Sequence, residues 1–241
     1  MNHVFIFVPG FGQIVTATTF LATHALRDHL HSKGMGTGIT SLSFPDIAEL
    51  RSMAMTIWYD TMPDVNHLLF IDADMGFDPD TVDRLVASAD PTDRPIVGGL
   101  AFAQKSDGAG PMFARRYRCT PTLYQMRETD TEVGFIPMFD YPREALTEVD
   151  ATGAACVLIH RSVLEKIRAD YGDRWFHPIE VPKGPDGRTE FGEDMSFCLR
   201  AKACGFPIYV DTSVKTTHDK GGVFLDEEFY DRQQARLAPV S

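Results

Sequence analysis

The chain has 241 residues, of which 44% are hydrophobic and 24% are charged, and its formal net charge is −11. This composition is typical of a globular protein with a sizeable core, and the negative charge disfavours loose, sequence-independent binding to nucleic acids or anionic membranes. It leaves open a local basic patch, or an approach to phosphate through a metal ion.

The first hundred residues alternate between strand-like and helix-like segments. Apolar runs predict strands at 4–8, 38–44, 67–71 and 95–102. The first helix is expected to end at Lys33 with Gly34 as its cap, the second to begin at Asp46, and the third to begin at Asp78-Pro79 with proline in the first helical position. This alternation predicts an α/β fold, in which a mostly parallel central sheet carries helices on both faces within a single domain.

The third strand, HLLFI, ends in two carboxylates, Asp72 and Asp74. Ligands of such sheets bind at the carboxyl ends of the strands, where the first strand also ends, at Pro9-Gly10, so we expect the two loops to be neighbours. Two acids this close repel each other unless a cation lies between them, and carboxylate oxygens are preferred ligands of hard divalent cations.

Four interpretations compete for the stretch DADMGFDPD. An EF-hand loop is excluded because Phe77 occupies the sixth position, where glycine is required. Three stay open: a phosphatase motif of the haloacid-dehalogenase type with Asp72 as nucleophile, a structural role in which both acids bond loop amides, and the D-x-D of a nucleotide-sugar transferase. In the last, the carboxylates hold a metal ion against the donor's diphosphate.

The second half of the chain is less regular. Residues 104–142 show no clear period, a strand at 155–160 leads into a helix, and a polar loop at 181–192 precedes a helix that opens with Glu193-Asp194. The last strand is expected at 207–214, with a surface helix and tail over 223–241.

Several pieces of the sequence, in a fixed order, carry a family resemblance. They are FVPGFG, FPDIAELRSMA, HLLFIDADMGF, GGLAFAQK, PTLYQ, EVDATGAACVLIHR, FGEDMSFCLRAKACGFPIYVD and TTHDKGG. Through them the chain resembles glycosyltransferases of the GT-A fold, in particular small stand-alone enzymes encoded by bacteriophages and bacteria. The resemblance implies a domain over 1–222, with a nucleotide-donor half at 1–103 and an acceptor half at 104–222.

The resemblance also implies a metal site. Asp74 would bind the metal directly, Asp72 would contact the ribose or the metal, and His218 in TTHDKGG would complete the site, although a solvated loop histidine is the alternative for that residue. Carboxylates, a neutral imidazole and phosphate oxygens suit Mn²⁺, or Mg²⁺ in its place.

Further roles follow from the same resemblance. Asp194 would be the base that removes the acceptor's proton and Glu193 its orienter, or the reverse; the alternative is that both acids only satisfy the first helical turn. Four more residues would line the donor, the last of them reaching a phosphate or the sugar: Pro9, Asp46, Arg51 and Lys105.

The function implied is that of a metal-dependent glycosyltransferase that moves a sugar from a nucleotide-sugar, expected to be a UDP-sugar, to an acceptor hydroxyl. The stereochemistry stays open, and the alternatives are a metal-dependent phosphohydrolase and a non-catalytic nucleotide- or sugar-binding module.

The acceptor is suggested only by a basic cluster, Arg115, Arg116 and Arg118 around Tyr117, which would grip phosphate and stack on a base; a solvated loop is the alternative. A modified DNA base and a protein are the candidate acceptors. No apolar run reaches the ~20 residues that cross a bilayer, and the four cysteines show no zinc or C-x-x-C spacing. We therefore expect a cytoplasmic protein without a membrane partner, in the host cytoplasm if it is phage-encoded.

Overall fold

The computed structural model describes residues 3–10, 15–35, 37–106, 117–129, 132–183 and 187–237. Seven strands of these residues, each hydrogen-bonded to the next, form its central sheet. In order across the sheet the strands are β10 (Leu146–Val149), β15 (Ile208–Asp219), β5 (Ile96–Leu100), β12 (Cys156–His160), β3 (His67–Ile71), β1 (Val4–Gly10) and β2 (Thr37–Ser43). The four strands predicted in the first hundred residues therefore all lie in the central sheet.

The sheet is mixed. Strands β1, β2, β3, β5 and β15 run in one direction, whereas β12 runs antiparallel to both β3 and β5, and β10 runs antiparallel to β15. The predicted α/β class with parallel strands is confirmed, but the antiparallel β12 divides the sheet into two parallel groups.

Within the described residues, six α-helices accompany the sheet: α1 (Ala17–Ser32), α2 (Ile47–Thr61), α3 (Thr81–Ser88), α4 (Leu164–Tyr171), α5 (Glu193–Ala203) and α6 (Glu227–Leu237). The two faces of β1 belong to different hydrophobic clusters, since Phe5 and Phe7 pack with α2, α4 and α5, while Val4 and Ile6 pack with α1 and α3. This alternation follows from the two-residue period of a strand. Helices therefore cover both faces, as predicted.

Capping residues in the sequence predicted some helix ends correctly and one incorrectly. Asp46 caps α2 as predicted, because its Oδ1 accepts hydrogen bonds from the N–H groups of Ala48 (2.8 Å) and Glu49 (3.2 Å). Gly34, after α1, has φ of 69°, which glycine adopts without strain. The predicted start of α3 at Asp78-Pro79 is wrong: the helix begins at Thr81, whose N–H closes a turn onto the carbonyl of Asp78.

Short strands surround the central sheet: β4 (Met75–Phe77), β6 (Phe102–Ser106), β7 (Tyr117–Pro121), β8 (Leu123–Glu128), β9 (Val133–Pro137), β11 (Ala151–Thr152), β13 (Ile179–Lys183), β14 (Gly187–Phe191) and β16 (Phe224–Leu225). Two of them correct the sequence prediction, because the region 181–192 contains the antiparallel pair β13–β14 where a loop was expected. The last central strand also continues beyond the predicted 207–214 and ends at Asp219.

The predicted C-terminal helix is present as α6, and it is anchored in the core. Tyr230 is buried and stacks on Phe102, with ring centroids 5.3 Å apart, and its hydroxyl donates to the carbonyl of Phe139 at 2.6 Å. Glu227 accepts a hydrogen bond from the Tyr141 hydroxyl at 3.0 Å. Across the described ranges of the chain, no helix is long and apolar enough to cross a membrane.

Candidate functional site

A cavity of about 690 Å³ opens at the carboxyl ends of β1 and β3. Its walls come from six regions of the chain, and the lining residues are Pro9, Thr16, Ile47, Arg51, Asp72, Ala73, Asp74, Gln104, Glu193, Asp219, Lys220 and Gly221. The loops after β1 and β3 are therefore neighbours, as the parallel arrangement of these strands predicted.

Asp74 and His218 meet at one side of this cavity because β4 pairs antiparallel with the end of β15, with Met75 opposite His218. The imidazole Nε2 of His218 lies 3.0 Å from Asp74 Oδ1, and its Nδ1 lies 2.8 Å from the carbonyl oxygen of Phe102. A carbonyl oxygen can only accept, so Nδ1 donates to it. Nε2 therefore donates to Asp74 Oδ1 when the imidazole is protonated, and directs a lone pair toward it when the imidazole is neutral.

This arrangement fits a divalent cation. When the imidazole is neutral, Nε2 and the carboxylate oxygen are two acceptors, and a metal cation between them would bind both. Histidine ligands of metals also characteristically donate their other N–H to a carbonyl or carboxylate, as His218 does to Phe102. Two ligands in adjacent octahedral positions at about 2.1 Å from a metal are about 3.0 Å apart, which is the separation of Nε2 and Oδ1. Asp74 and His218 could therefore hold Mn²⁺ or Mg²⁺.

Asp72 is placed differently. In the described part of the chain no group of three or more His, Cys, Asp or Glu side chains is arranged to hold a metal ion. The carboxylate of Asp72 instead accepts a hydrogen bond of 2.5 Å from Arg51. The structure thus brings together Asp74 and His218 of the three predicted metal ligands, and gives Asp72 a guanidinium partner.

Arg51 also reaches the acidic pair at the start of α5. Its Nη1 donates to Glu193 Oε1 at 2.5 Å, while its Nη2 holds Asp72, and the guanidinium is buried with only 4% of the side chain exposed. Burial alone would lower the pKa of Arg51, but the charges of Asp72 and Glu193 outweigh it and raise the pKa. Arg51 is therefore a permanent cation that ties α2, β3 and α5 together.

Asp194 lies next to Glu193 but in a different setting. One carboxylate oxygen accepts the N–H of Met195 at 2.8 Å, and the other lies 3.6 Å from the position that a Cβ on Gly153 would take. Burial and the neighbouring charge of Glu193 raise the pKa of Asp194, against the opposing charges of Arg51 and Lys105. A carboxylate with a raised pKa is a stronger base than an ordinary aspartate.

The pKa of Asp74 is shifted in the opposite direction from that of Asp194. Burial tends to raise the pKa of its carboxyl, but hydrogen bonds from His218 and from Lys220 outweigh burial and lower the pKa to about 2. The side chain of Asp74 is 28% exposed toward the cavity. Asp74 therefore stays ionised at any physiological pH, which binding of a metal ion would require.

The sequence matches no protein-family model and no curated protein. Among solved structures, 97 chains match. One is a crystal structure of A197 from STIV, with a TM-score of 0.51 and 20% identity over 95% of this chain and 91% of that one. The chain shares its fold with A197.

Solved glycosyltransferases also match over most of the chain. The catalytic domain of Drosophila β1,4-galactosyltransferase 7 in complex with xylobiose gives a TM-score of 0.45 and 13% identity over 94% of this chain and 71% of that one. GalNAc-T7 with UDP, GalNAc and Mn²⁺ gives 0.47 and 11% over 90% and 43%. The resemblance predicted from the sequence is confirmed as a similarity of structure, and at these identities it concerns the fold alone.

The predicted donor-lining residues are distributed unevenly. Pro9 and Arg51 line the cavity, whereas Asp46 uses its carboxylate to cap α2. Lys105 is exposed on β6 directly opposite Arg118 on β7. Contacts of Pro9, Asp46 and Lys105 with a nucleotide stay predictions.

Of the basic cluster predicted as an acceptor contact, only one arginine can be placed. Arg118 is exposed beside Lys105, so two cations face each other across one ribbon. Arg115 and Arg116 lie outside the described residues. An acceptor role for the cluster stays a prediction.

Two charged residues of the site, Asp219 and Lys220, were not singled out from the sequence. Lys220, two residues after His218 in TTHDKGG, donates to Asp74 Oδ2 at 2.8 Å. Successive side chains of an extended segment alternate in direction, so a cation two positions after His218 could have been expected on the same face of the strand. That signal depends on extending the last strand to Asp219, which the sequence prediction did not do.

Proposed function

We propose that the protein is a metal-dependent glycosyltransferase that moves a sugar from a nucleotide-sugar, with a UDP-sugar as the expected donor, to an acceptor hydroxyl. The observation that carries this proposal is the pairing of Asp74 with His218 at the end of β3, with Nδ1 of the imidazole held by the carbonyl of Phe102. A D-x-D sequence alone would not suffice, because two carboxylates at a strand end also occur as ordinary loop acceptors.

The charges around the cavity support a metal-dependent anionic ligand. Four lining residues are acids, namely Asp72, Asp74, Glu193 and Asp219, and two are basic, Arg51 and Lys220. A diphosphate entering this cavity would be repelled unless a divalent cation accompanied it. When bound to Asp74 and His218, such an ion would neutralise the diphosphate and stabilise the charge that develops on it as the glycosidic bond breaks.

The rest of the donor has space in the same cavity. Its volume of about 690 Å³ lies within the range of small-molecule sites. Pro9 and Ile47 offer apolar surface for a base and ribose, and Thr16 offers a hydroxyl. The backbone N–H of Thr16 donates to the carbonyl of Ala73 at 2.8 Å, which fixes this loop against the D-x-D segment.

Asp194 is the better candidate for the base that takes the proton of the acceptor. Glu193 forms an ion pair with the buried Arg51, so its Oε1 is already occupied by a guanidinium partner. Asp194 has a raised pKa, and its one hydrogen bond to a described residue comes from the N–H of Met195. Glu193 then positions the start of α5, and Asp194 acts on an acceptor hydroxyl if the reaction inverts configuration.

Ligand-dependent thermal stability tests the donor site. A ligand that binds only the native state stabilises it by RT ln(1 + [L]/Kd), so millimolar nucleotide gives a readable rise in Tm. We expect a rise with UDP that requires Mn²⁺ and is lost in Asp74→Ala. The matched control is Asp64→Ala, which removes an exposed carboxylate before the opposite end of β3 and should respond like wild type.

Turnover separates the proposal from its alternatives. Release of UDP from a UDP-sugar, dependent on Mn²⁺ and on Asp74, is expected for a transferase. Hydrolysis of phosphate monoesters without any sugar donor would instead indicate a phosphohydrolase. Absence of a Tm shift with every nucleotide tested, in folded protein with Mn²⁺ present, would contradict the proposed function.

A further inference from the structure

The end of β15 places two cationic or basic groups on a single carboxylate. His218 Nε2 lies 3.0 Å from Asp74 Oδ1, and the ammonium of Lys220 lies 2.8 Å from Asp74 Oδ2. Both oxygens of Asp74 therefore have a partner in the protein alone. A divalent cation that binds Oδ1 and His218 would share this carboxylate with the lysine ammonium.

Those two positive charges compete. At separations of a few ångströms, the repulsion between a divalent ion and an ammonium exceeds thermal energy even at an effective dielectric constant close to that of water. The lysine also withdraws electron density from the carboxylate that the metal needs. Lys220 therefore weakens binding of a divalent ion for as long as its ammonium stays on Asp74.

Lys220 can leave Asp74 without any change in the backbone. Its own N–H donates to the carbonyl of Val223 at 2.9 Å, and the N–H of Asp219 donates to the carbonyl of Asp74 at 2.7 Å, so the main chain here is held by hydrogen bonds. The side chain of Lys220 is 34% exposed and lines the cavity. Only rotation of a flexible side chain is needed to turn the ammonium into the cavity.

The other cation of the cavity wall is not free to move. Arg51 uses both terminal nitrogens on Asp72 and Glu193 and is buried. Among the lining residues, Lys220 is therefore the cation available to contact an anionic ligand, and a phosphate group is the strongest partner that the proposed donor offers.

We propose that Lys220 is an exchangeable cation: in the ligand-free protein it occupies Asp74, and when a divalent ion and a nucleoside diphosphate bind together it moves from Asp74 to a phosphate oxygen. This inference rests on the proposed function. As a consequence, the two ligands bind cooperatively. The divalent ion binds weakly when it is alone, and it binds tightly when the nucleotide removes Lys220 from Asp74. Lys220 is thus a positioning residue that couples the two ligands.

The test is the affinity for Mn²⁺, measured by electron paramagnetic resonance on the full chain with and without UDP. Without UDP, Lys220→Met should bind Mn²⁺ at least tenfold more tightly than wild type. With saturating Mn²⁺, the same variant should bind UDP at least tenfold more weakly, because the phosphate contact is lost. Lys220→Arg should restore the wild-type behaviour of both affinities.

The matched control is Lys202→Met. Lys202 also pairs with one aspartate, Asp150, and both side chains are 31% exposed, but they lie away from the cavity lining. This variant should bind Mn²⁺ and UDP like wild type. Circular dichroism and the urea midpoint verify that each variant is folded.

The outcomes separate this proposal from the proposed function. If wild type binds Mn²⁺ and UDP together but Lys220→Met has the same Mn²⁺ affinity within twofold, the exchange is overturned and the donor site stands. A tighter Mn²⁺ affinity without weaker UDP binding overturns the transfer to phosphate. If neither protein binds Mn²⁺ or UDP, the proposed function fails and the exchange fails with it.

Discussion

Arg51 and Asp72 are joined by a hydrogen bond of 2.5 Å between Nη2 and Oδ1, although 20 residues of chain separate them. The same guanidinium holds Glu193 at 2.5 Å through Nη1. One buried cation therefore neutralises the first acid of the D-x-D segment and the first acid of α5, and links the proposed donor and acceptor sides of the site.

Replacement of Arg51 should destabilise the fold. Arg51→Met leaves Asp72 and Glu193, each about one quarter exposed, without their common partner, and we expect a loss of about 2–4 kcal/mol in the free energy of unfolding by urea. Arg51→Lys keeps the charge but not the two-pronged geometry and should lose less. Arg232→Met, which breaks an exposed pair with Glu228, should change stability by less than about 1 kcal/mol. Equal effects of Arg51→Met and Arg232→Met would contradict the bridging role.

Asp194 and Glu193 should differ in kinetics. We expect Asp194→Asn to lower kcat by about 10²–10⁴-fold with little change in UDP affinity, because loss of a general base affects the chemical step. Glu193→Gln should lower activity less, and its effect should appear together with a loss of stability. A wild-type rate for Asp194→Asn on a working donor and acceptor would exclude Asp194 as the base.

The raised pKa of Asp194 also predicts the direction in which this carboxyl changes the stability of the fold. An acid whose pKa is higher in the folded than in the unfolded state binds more protons when folded, so this group destabilises the fold once pH rises above its unfolded pKa. Asp194→Asn should therefore be at least as stable as wild type at pH 7, measured by urea denaturation. A clear loss of stability would show that the ionised carboxylate is a structural group.

Gly76 should tolerate no side chain. A Cβ at this position on β4 would lie 2.8 Å from Cγ2 of Thr18 on α1, and a β-branched threonine has few χ1 rotamers with which to relieve the contact. Gly76→Ala should cost about 1–3 kcal/mol in the free energy of unfolding. Adding Thr18→Ser removes the methyl group but keeps the hydroxyl that donates to Asp219, so the double variant should recover most of the loss.

The matched glycine is Gly38 on β2, where a Cβ would meet Phe5 at 3.7 Å, an ordinary contact distance. Gly38→Ala should leave the urea midpoint nearly unchanged or raise it slightly. If Thr18→Ser fails to rescue Gly76→Ala, the contact between α1 and β4 is not the cause of the loss.

His67 should make the fold sensitive to acid. It is 6% exposed, its Nδ1 has no described partner, and burial followed by the charge of His160 lowers its pKa from 6.5 to about 4. The unfolded chain therefore binds the proton first as pH falls, so stability is full above pH 6.5 and is lost progressively toward pH 4. Between pH 7.5 and pH 5 we expect a loss of about 2 kcal/mol from this residue.

The measurement is urea denaturation across that pH range for wild type and His67→Phe. Since phenylalanine cannot be protonated, the difference between the two curves isolates His67 from other titrating groups. The variant should lose about 2 kcal/mol less than wild type between pH 7.5 and 5. Parallel curves would show that His67 is not held neutral by the fold.

The local elements of residues 3–103 were largely predictable from sequence. Periodicity located β1, β2, β3 and β5, and the cap of α2 followed from Asp46, because strand period and helix capping involve residues within a few positions of each other. The short antiparallel pair β13–β14 was missed, since a polar, Gly- and Pro-containing stretch carries no such period.

The sequence by itself determined the α/β class, the position of Asp72 and Asp74 at a strand end, and the proximity of the loops after β1 and β3. Only the tertiary structure decided the partners of those acids, since Arg51 takes Asp72, and the pairing of β4 with β15 brings His218 and Lys220 onto Asp74 across 144 and 146 residues. The physical reason is the separation along the chain of the residues that interact. Hydrophobic period and capping depend on residues close together in sequence, whereas a contact between distant strands depends on how the whole core packs.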